Sequence, residues 1–264
     1  MEITFHKYHG TGNDFILIDD RKLSFPNDLE LIRNLCHRRF GIGADGLILL
    51  RNHFKFDFEM VYYNADGTQS MCGNGSRCAV HFAKSLGITG NQTRFLSTDG
   101  PHEGTIADDG LISIRLYDVE RITSKSGGLF IDTGSPHHIE FVDRLSDFGV
   151  VEKGRKVRYS HDYAPKGTNV NFVELMGNNS IFVRTYERGV EDETLSCGTG
   201  VTACSLASFT KGYQSPVTVV TPGGTLEVSF NVKGGGFTNI FLKGPAQLVY
   251  SGVVDTQAEK QSKM

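Results

Sequence analysis

Two short segments of the chain look alike. Cys72-Gly73-Asn74-Gly75-Ser76-Arg77-Cys78-Ala79 and Cys197-Gly198-Thr199-Gly200-Val201-Thr202-Ala203-Cys204 each open on a Cys-Gly-x-Gly turn. Each then runs on into small and apolar residues able to continue as a helix. A thiol turn placed twice, so far apart, calls for two similar settings, one around each copy.

The surrounding pattern agrees. In the first half, Ile3–Tyr8, Phe15–Asp19, Leu47–Leu50 and Phe56–Tyr63 read as strands, Leu29–Arg38 and Asn74–Leu86 as helices. Leu111–Tyr117 alternates with period two, Ile112, Ile114 and Leu116 facing one way. The second half repeats the plan. Leu129–Thr133, Ile139–Val142, Asn169–Leu175 and Ser180–Glu187 are strand-like, and the turn at Cys197 leads into a helix over Thr199–Lys211. Val217–Thr221, Thr225–Asn231 and Phe237–Leu242 follow as strands, with Pro222-Gly223-Gly224 as a turn. The 31 glycines cluster between these short segments, as many strands joined by tight loops require. The natural boundary is near residues 117–125, and a small-molecule site is expected in the cleft between two α/β units. Residues 258–264 are polar and read as a frayed end.

The chemistry of one such turn follows from its backbone. A helix N-terminus leaves N–H groups without intrahelical partners, and its dipole places partial positive charge there. A cysteine at that point ionises more readily, so its thiolate serves as base or nucleophile. The N–H groups after it form a cradle for a small anion such as a carboxylate. Two facing turns would hold one substrate between two thiols, the arrangement needed to remove a proton from one face of a carbon and return it to the other. Cys78 and Cys204 lie further along each helix and read as core, as does Cys36 within an amphipathic stretch.

A chain of 264 residues can bury a substantial core in two medium domains. Its net charge of −3 gives no nucleic-acid footprint. No apolar run is long enough to span a membrane, and Met1-Glu2-Ile3-Thr4-Phe5-His6 is not a signal-peptide start. Five cysteines in such a chain point to free thiols in a reducing compartment, hence the cytoplasm. With no Cys-x-x-Cys pair, no metal is expected.

Further motifs stand in order along the chain. They are Gly10-Thr11-Gly12-Asn13-Asp14-Phe15, Gly41-Ile42-Gly43-Ala44-Asp45-Gly46, Tyr63-Asn64-Ala65-Asp66-Gly67 and Met71-Cys72-Gly73-Asn74-Gly75. The second half adds Thr133-Gly134-Ser135-Pro136-His137, Asn169-Val170-Asn171-Phe172, Tyr186-Glu187-Arg188-Gly189 and Ser196-Cys197-Gly198-Thr199-Gly200. Taken together, over nearly the whole chain, they resemble the diaminopimelate epimerase family of pyridoxal-independent amino-acid epimerases. The resemblance implies an α/β (α+β) fold of two structurally similar strand-rich domains, each wrapped around a central helix and related by a pseudo-twofold. It places residues 1–118 in the first domain, with 247–264 returning to it, and 119–246 in the second.

The same resemblance implies epimerisation of LL-diaminopimelate to the meso isomer, in lysine and peptidoglycan precursor synthesis, with no cofactor. Cys72 and Cys197 would be the acid–base pair. The N–H groups of Gly73, Asn74, Gly198 and Thr199 would hold the reacting carboxylate. Arg188, Asn64 and Asn169 would bind the distal carboxylate, the planar guanidinium suiting a bidentate grip. Glu187 would face an ammonium group, Asn13 would contact substrate, and His137 would support thiol geometry or protonation. Family members are often dimers, so a homodimer is expected. Read without the resemblance, Glu187-Arg188 is an exposed strand pair and Asn64 a turn cap.

Two positions depart from the pattern of some family members, which have asparagine at Ser135 and glutamine at Gly46; Asp45-Gly46 reads here as turn structure. Proline racemases and hydroxyproline epimerases also resemble the chain but favour histidine where it has Asn74, and they need no receptor for a distal head. Phenazine-type isomerases of this fold lack the paired thiols. A redox sensor built on a Cys72–Cys197 disulfide would leave the distal-binding motifs unexplained.

Overall fold

The computed structural model describes residues 1–256. The tail expected to fray, 258–264, and the last part of the returning segment lie outside the described residues. The chain forms two compact units, 1–114 with 245–264 and 115–244. These divisions fall a few residues before those expected at 118/119 and 246/247. The reason is local: the Leu116 N–H already donates to Ile240 O inside the second unit, and Pro245 O already accepts from Arg77 in the first.

The first unit begins with β1 (Glu2–Gly10) and β2 (Asn13–Asp19), then α1 (Leu29–Cys36), β3 (Gly46–Arg51) and β4 (Phe58–Asn64). It continues through α2 (Gly73–Ser85), β5 (Gln92–Ser97), β6 (Gly100–Ile106) and β7 (Ile112–Arg115). Thr11 and Gly12 join β1 to β2 with both φ positive, at 51° and 84°. That is the geometry a two-residue hairpin requires. Asp28 caps α1 by accepting from the N–H groups of Glu30 and Leu31. The helix stops at Cys36, short of the expected Arg38. The chain turns extended at His37 and folds back so tightly that a Cβ on Gly41 would lie 1.9 Å from Asn34 O. β3 is buried on both faces because α1 covers one and α2 the other, so it reads as an unbroken apolar run. Leu31, Ile32 and Leu35 of α1 pack with Ile16, Ile18, Leu47 and Leu49.

The second unit holds β8 (Thr123–Lys125), β9 (Gly128–Asp132), β10 (Pro136–Phe141), α3 (Val150–Arg158), β11 (Asn169–Met176) and β12 (Ser180–Glu187). It is completed by β13 (Asp192–Thr194), α4 (Gly198–Ser208), β14 (Val217–Thr221), β15 (Gly224–Lys233) and β16 (Gly236–Gly244). A 3₁₀ turn, Phe209–Lys211, extends α4 over the rest of the expected helix. β17 (Gln247–Asp255) then returns to the first unit and pairs antiparallel with β1.

The pairings reveal the repeat. From β1 to β7 the successive contacts run antiparallel, parallel, antiparallel, parallel, antiparallel, antiparallel. From β9 through β10, β11, β12, β14 and β15 to β16 they run in the same order. α1 and α3 occupy equivalent connections, as do α2 and α4. α2 packs on β1, β2, β3, β4 and β6, and α4 on β9 to β12 and β14 to β16. Each sheet therefore wraps one helix, and each wrapped helix is the one that begins after a Cys-Gly-x-Gly cysteine.

Candidate functional site

Cys72 is the N-cap of α2, with an extended backbone at φ −136° and ψ 114°. Its sulfur accepts from the Gly75 N–H at 3.5 Å and donates its proton toward Asn13 Oδ1, also at 3.5 Å. Asn74 Nδ2 donates to the same oxygen at 3.3 Å. Asn13 is held in turn by its Nδ2, which donates to Asp45 Oδ2 at 2.7 Å. Cys72, Asn13 and Asn74 therefore meet at the start of α2. Asp45 is more than the turn residue it reads as: its carboxylate orients Asn13, and it pairs with Arg38 at 2.6 Å. Gly46 has no room for a side chain, since a Cβ would lie 2.4 Å from the Tyr62 ring and 2.5 Å from Tyr63 O.

Arg77 lies fully buried one turn into α2. It donates to Asn74 Oδ1 at 2.9 Å, Thr11 Oγ1 at 3.3 Å and Pro245 O at 3.2 Å. Burial pulls this guanidinium down to about 10, against the opposing pull of Cys78 and Cys72. It remains a cation at neutral pH and adds to the positive end of the helix dipole. The sequence offered no sign of this role, because a first-turn arginine ordinarily reads as surface.

Cys197 is the N-cap of α4, at φ −113° and ψ 110°, but no backbone N–H caps onto its sulfur. Its Sγ lies 3.5 Å from Thr199 Oγ1, and Thr199 Oγ1 lies 3.0 Å from His137 Nε2. The Thr133 hydroxyl secures the same turn by donating to Thr199 O at 2.9 Å. The two cysteine turns, so alike in sequence, thus differ in what touches the sulfur. His137 is fully buried. Burial, reinforced by the charge of Arg188, lowers it to about 3, so it is neutral across the working range. His137 and His138 point to opposite faces of β10, as strand alternation demands. His138 bonds Tyr163 and Glu140 instead.

Asn64, Asn169 and Glu187 are each engaged within their own unit. Asn64 closes its own loop, donating to Thr68 Oγ1 at 3.0 Å and Ser70 Oγ at 3.2 Å. Asn169 bridges β10 and the end of β12: its Nδ2 donates to Pro136 O at 3.1 Å and its Oδ1 accepts from the Arg188 N–H at 2.8 Å. Glu187 accepts from the Thr194 hydroxyl at 2.8 Å. Cys36, Cys78 and Cys204 are buried, as their positions imply. Burial raises Cys36 to about 12 and pushes Cys78 and Cys204 well above the usual thiol range. They pack; they do not ionise.

What this arrangement can do chemically is hold two thiols, each beside a helix N-terminus with outward N–H groups suited to a carboxylate. The family model described as diaminopimelate epimerase matches residues 5–119 and 129–249. A diaminopimelate epimerase of Flavobacterium psychrophilum is 53% identical over 253 residues, covering 94% of this chain and 99% of that protein. One from Chlorobaculum tepidum is 44% identical over 258 residues, covering 93% and 98%. Among solved structures, a Bacillus anthracis phenazine biosynthesis protein of the PhzF family superposes with TM-score 0.74 at 12% identity, covering 97% of this chain and 99% of that one. A hydroxyproline epimerase from Agrobacterium vitis gives TM-score 0.67 at 14% identity, covering 97% and 94%. At such identities these two speak for the fold alone.

Proposed function

The chain belongs to the diaminopimelate epimerase family, and on that premise we propose that it interconverts LL- and meso-2,6-diaminopimelate with Cys72 and Cys197 as a thiolate–thiol pair. The observation that carries this reading is the repeat: each unit wraps one helix, and each wrapped helix starts on a cysteine. One sulfur removes the Cα proton while the other donates a proton from the opposite face. The Cα–H of an amino acid is a very weak acid, so the carbanion must be stabilised as it forms. The N–H groups of Gly73, Asn74, Gly198 and Thr199 are fixed donors whose bonds strengthen as charge moves onto the substrate carboxylate. Losing one such donor typically costs ~3 kcal/mol of barrier, a hundredfold or more in rate. The buried Arg77 supports an anion at the α2 end. No separate electron sink is called for.

Arg188, Asn64 and Asn169 take the distal carboxylate, and Glu187 takes an ammonium group. Asn13 contacts substrate beside Cys72. The product serves lysine and peptidoglycan precursor synthesis in the cytoplasm. A homodimer is supported by β17, an outer strand that leaves Leu248, Val249, Tyr250 and Val253 exposed.

The test is stereoinversion in deuterium oxide under reducing conditions, with proline and hydroxyproline as controls. Conversion of LL-diaminopimelate with deuterium entering Cα, lost in Cys72→Ala and in Cys197→Ala, is the expected result. Folded, reduced protein that leaves diaminopimelate unchanged refutes the substrate. Turnover of a control instead moves the assignment to the proline-type racemases.

A further inference from the structure

Asn171 lies in β11, two residues beyond Asn169, and no step of the reaction above uses it. It is fully buried. Its side chain stands at the end of a hydrogen-bonded chain that leads to the Cys197 sulfur, and the bond directions as far as Thr199 can be worked out. Asn171 Nδ2 lies 2.9 Å from His138 O, which can only accept. Asn171 Oδ1 lies 3.0 Å from the Thr185 hydroxyl, which donates to it. The His138 carbonyl thereby fixes the amide orientation, and the Thr185 hydroxyl, free to donate, agrees with it. The same Nδ2 lies 3.2 Å from His137 Nδ1. An amide nitrogen donates and does not accept, so Nδ1 carries no proton and the neutral ring holds its proton on Nε2. That proton points at Thr199 Oγ1, 3.0 Å away. Thr199 then accepts from histidine, which leaves its single hydroxyl proton available to Cys197 Sγ, 3.5 Å away.

We infer that Asn171 is a positioning residue: by fixing the Nε2–H tautomer of His137 it turns the Thr199 hydroxyl into a donor to the Cys197 sulfur, and so favours the thiolate there. A hydrogen bond donated to the charged form stabilises that form. The inference rests on the two-thiol reading of the site. It also gives His137 a defined part. With Nδ1 engaged by an amide that cannot take a proton, the ring orients a hydroxyl and does not relay protons to solvent. Cys72 is treated differently, since Asn13 Oδ1 accepts from its thiol. The charged and titratable groups around the Cys197 chain are few. Arg188 acts on His137, Cys204 lies behind Cys197, and Glu187 shares the β12 face of Thr185. The buried residues of β14, β15 and β16 in the same unit, among them Val219, Val228 and Leu242, are uncharged, and Thr221 is the polar one among them.

Two readouts on the free, reduced enzyme test this. Long-range nitrogen–proton correlation NMR, with His137→Gln for assignment, should show His137 protonated on Nε2 and bare on Nδ1. Ultraviolet thiolate absorbance, taken as the difference between Cys72→Ser and Cys72→Ser/Cys197→Ser, should titrate Cys197 alone. Asn171→Leu and Thr199→Val should each raise that midpoint by about one unit, a tenfold loss of thiolate at a given pH. Thr199→Ser should restore it. A His137 ring protonated on Nδ1 overturns the inference, and so does an unmoved midpoint in a folded Thr199→Val. The NMR result and the Thr199 pair decide the matter even if Asn171→Leu does not fold. Neither readout needs a substrate, so failure here is separable from failure of the assigned reaction, which shows only as absent turnover.

Discussion

Gly200 and Gly75 occupy the same place in the two cysteine turns, yet replacing each with alanine should have opposite effects. Alanine in place of glycine inside a helix ordinarily gains ~1 kcal/mol. At Gly75 the nearest atoms to a new Cβ are the flexible ends of Ile48, at 3.1 Å, and Met60, at 3.4 Å. Those ends can shift by a few tenths of an ångström, so most of the gain survives. At Gly200 a new Cβ would lie 2.5 Å from Asn171 Oδ1, 3.3 Å from His137 Cε1 and 3.4 Å from Cys197 Cβ. Asn171 is fully buried and pinned by Thr185, His138 and His137. Moving its oxygen aside breaks the Thr185 bond, at ~1 kcal/mol, and overpacks the site, at ~1–3 kcal/mol. Set against the helix gain, Gly200→Ala should lose about 1–3 kcal/mol. For a chain of this size that lowers Tm by about 5 °C. Gly75→Ala should stay within about 2 °C of the parent or rise. Thermal unfolding by circular dichroism, run side by side, measures both. Turnover should fall further in Gly200→Ala, because the displaced amide is the one that sets His137. If Gly200→Ala is as stable and as active as Gly75→Ala, the packing argument around Asn171 is wrong.

Two other outcomes follow from the electrostatics. Burial alone would raise Asp14, but hydrogen bonds and charge from Arg38 and Lys7 outweigh it and hold the carboxyl below the usual carboxylate range. A depressed folded value stabilises the protein above the unfolded pKa of about 4, and that stability is lost as pH falls toward the folded value. Asp14→Asn should therefore be less stable than the parent at neutral pH, with the gap closing below about pH 4. Urea titrations over a pH series check this, and a gap that widens in acid would contradict it. Among the cysteines, brief alkylation of native protein at pH near 8 should modify Cys72, which is partly exposed, and spare Cys36, Cys78 and Cys204, whose thiols are buried and raised. Peptide mass spectrometry reads the sites, and early labelling of any of the three would show that the cores open more readily than their packing implies.

Local signals made much of the fold legible. The duplicated cysteine turn announced two wrapped helices, and both begin there. The Pro222-Gly223-Gly224 turn is written in residues that only a few backbone shapes accommodate. Elements stabilised by distant partners were not legible. α3 was missed because it has no side-chain N-cap and buries only Val150 and Gly154. It forms because Gly154 lets the helix sit against Tyr186, where a Cβ would fall 2.4 Å from the Tyr186 Cβ. β5 and β6 hide their alternation, since Thr93, Ser97 and His102 take inward positions that an apolar count ignores. β17 was missed because its residues are mostly exposed and it is ordered by pairing with β1.

The sequence by itself determined where the two candidate thiols stand: two cysteines, each at the start of a helix, each followed by glycines. Capping and turn formation are local events, governed by residues a few places apart, so they can be read along the chain. What surrounds each sulfur was decided only by the tertiary structure. Asn13 reaches Cys72 from a hairpin far earlier in the chain, and it is aimed by Asp45 from a third segment. His137 and Asn171 come from neighbouring parallel strands whose register alone sets which amide meets which ring nitrogen. Hydrogen-bond direction depends on these non-local placements, which is why two turns of one Cys-Gly-x-Gly pattern present their thiols in different surroundings.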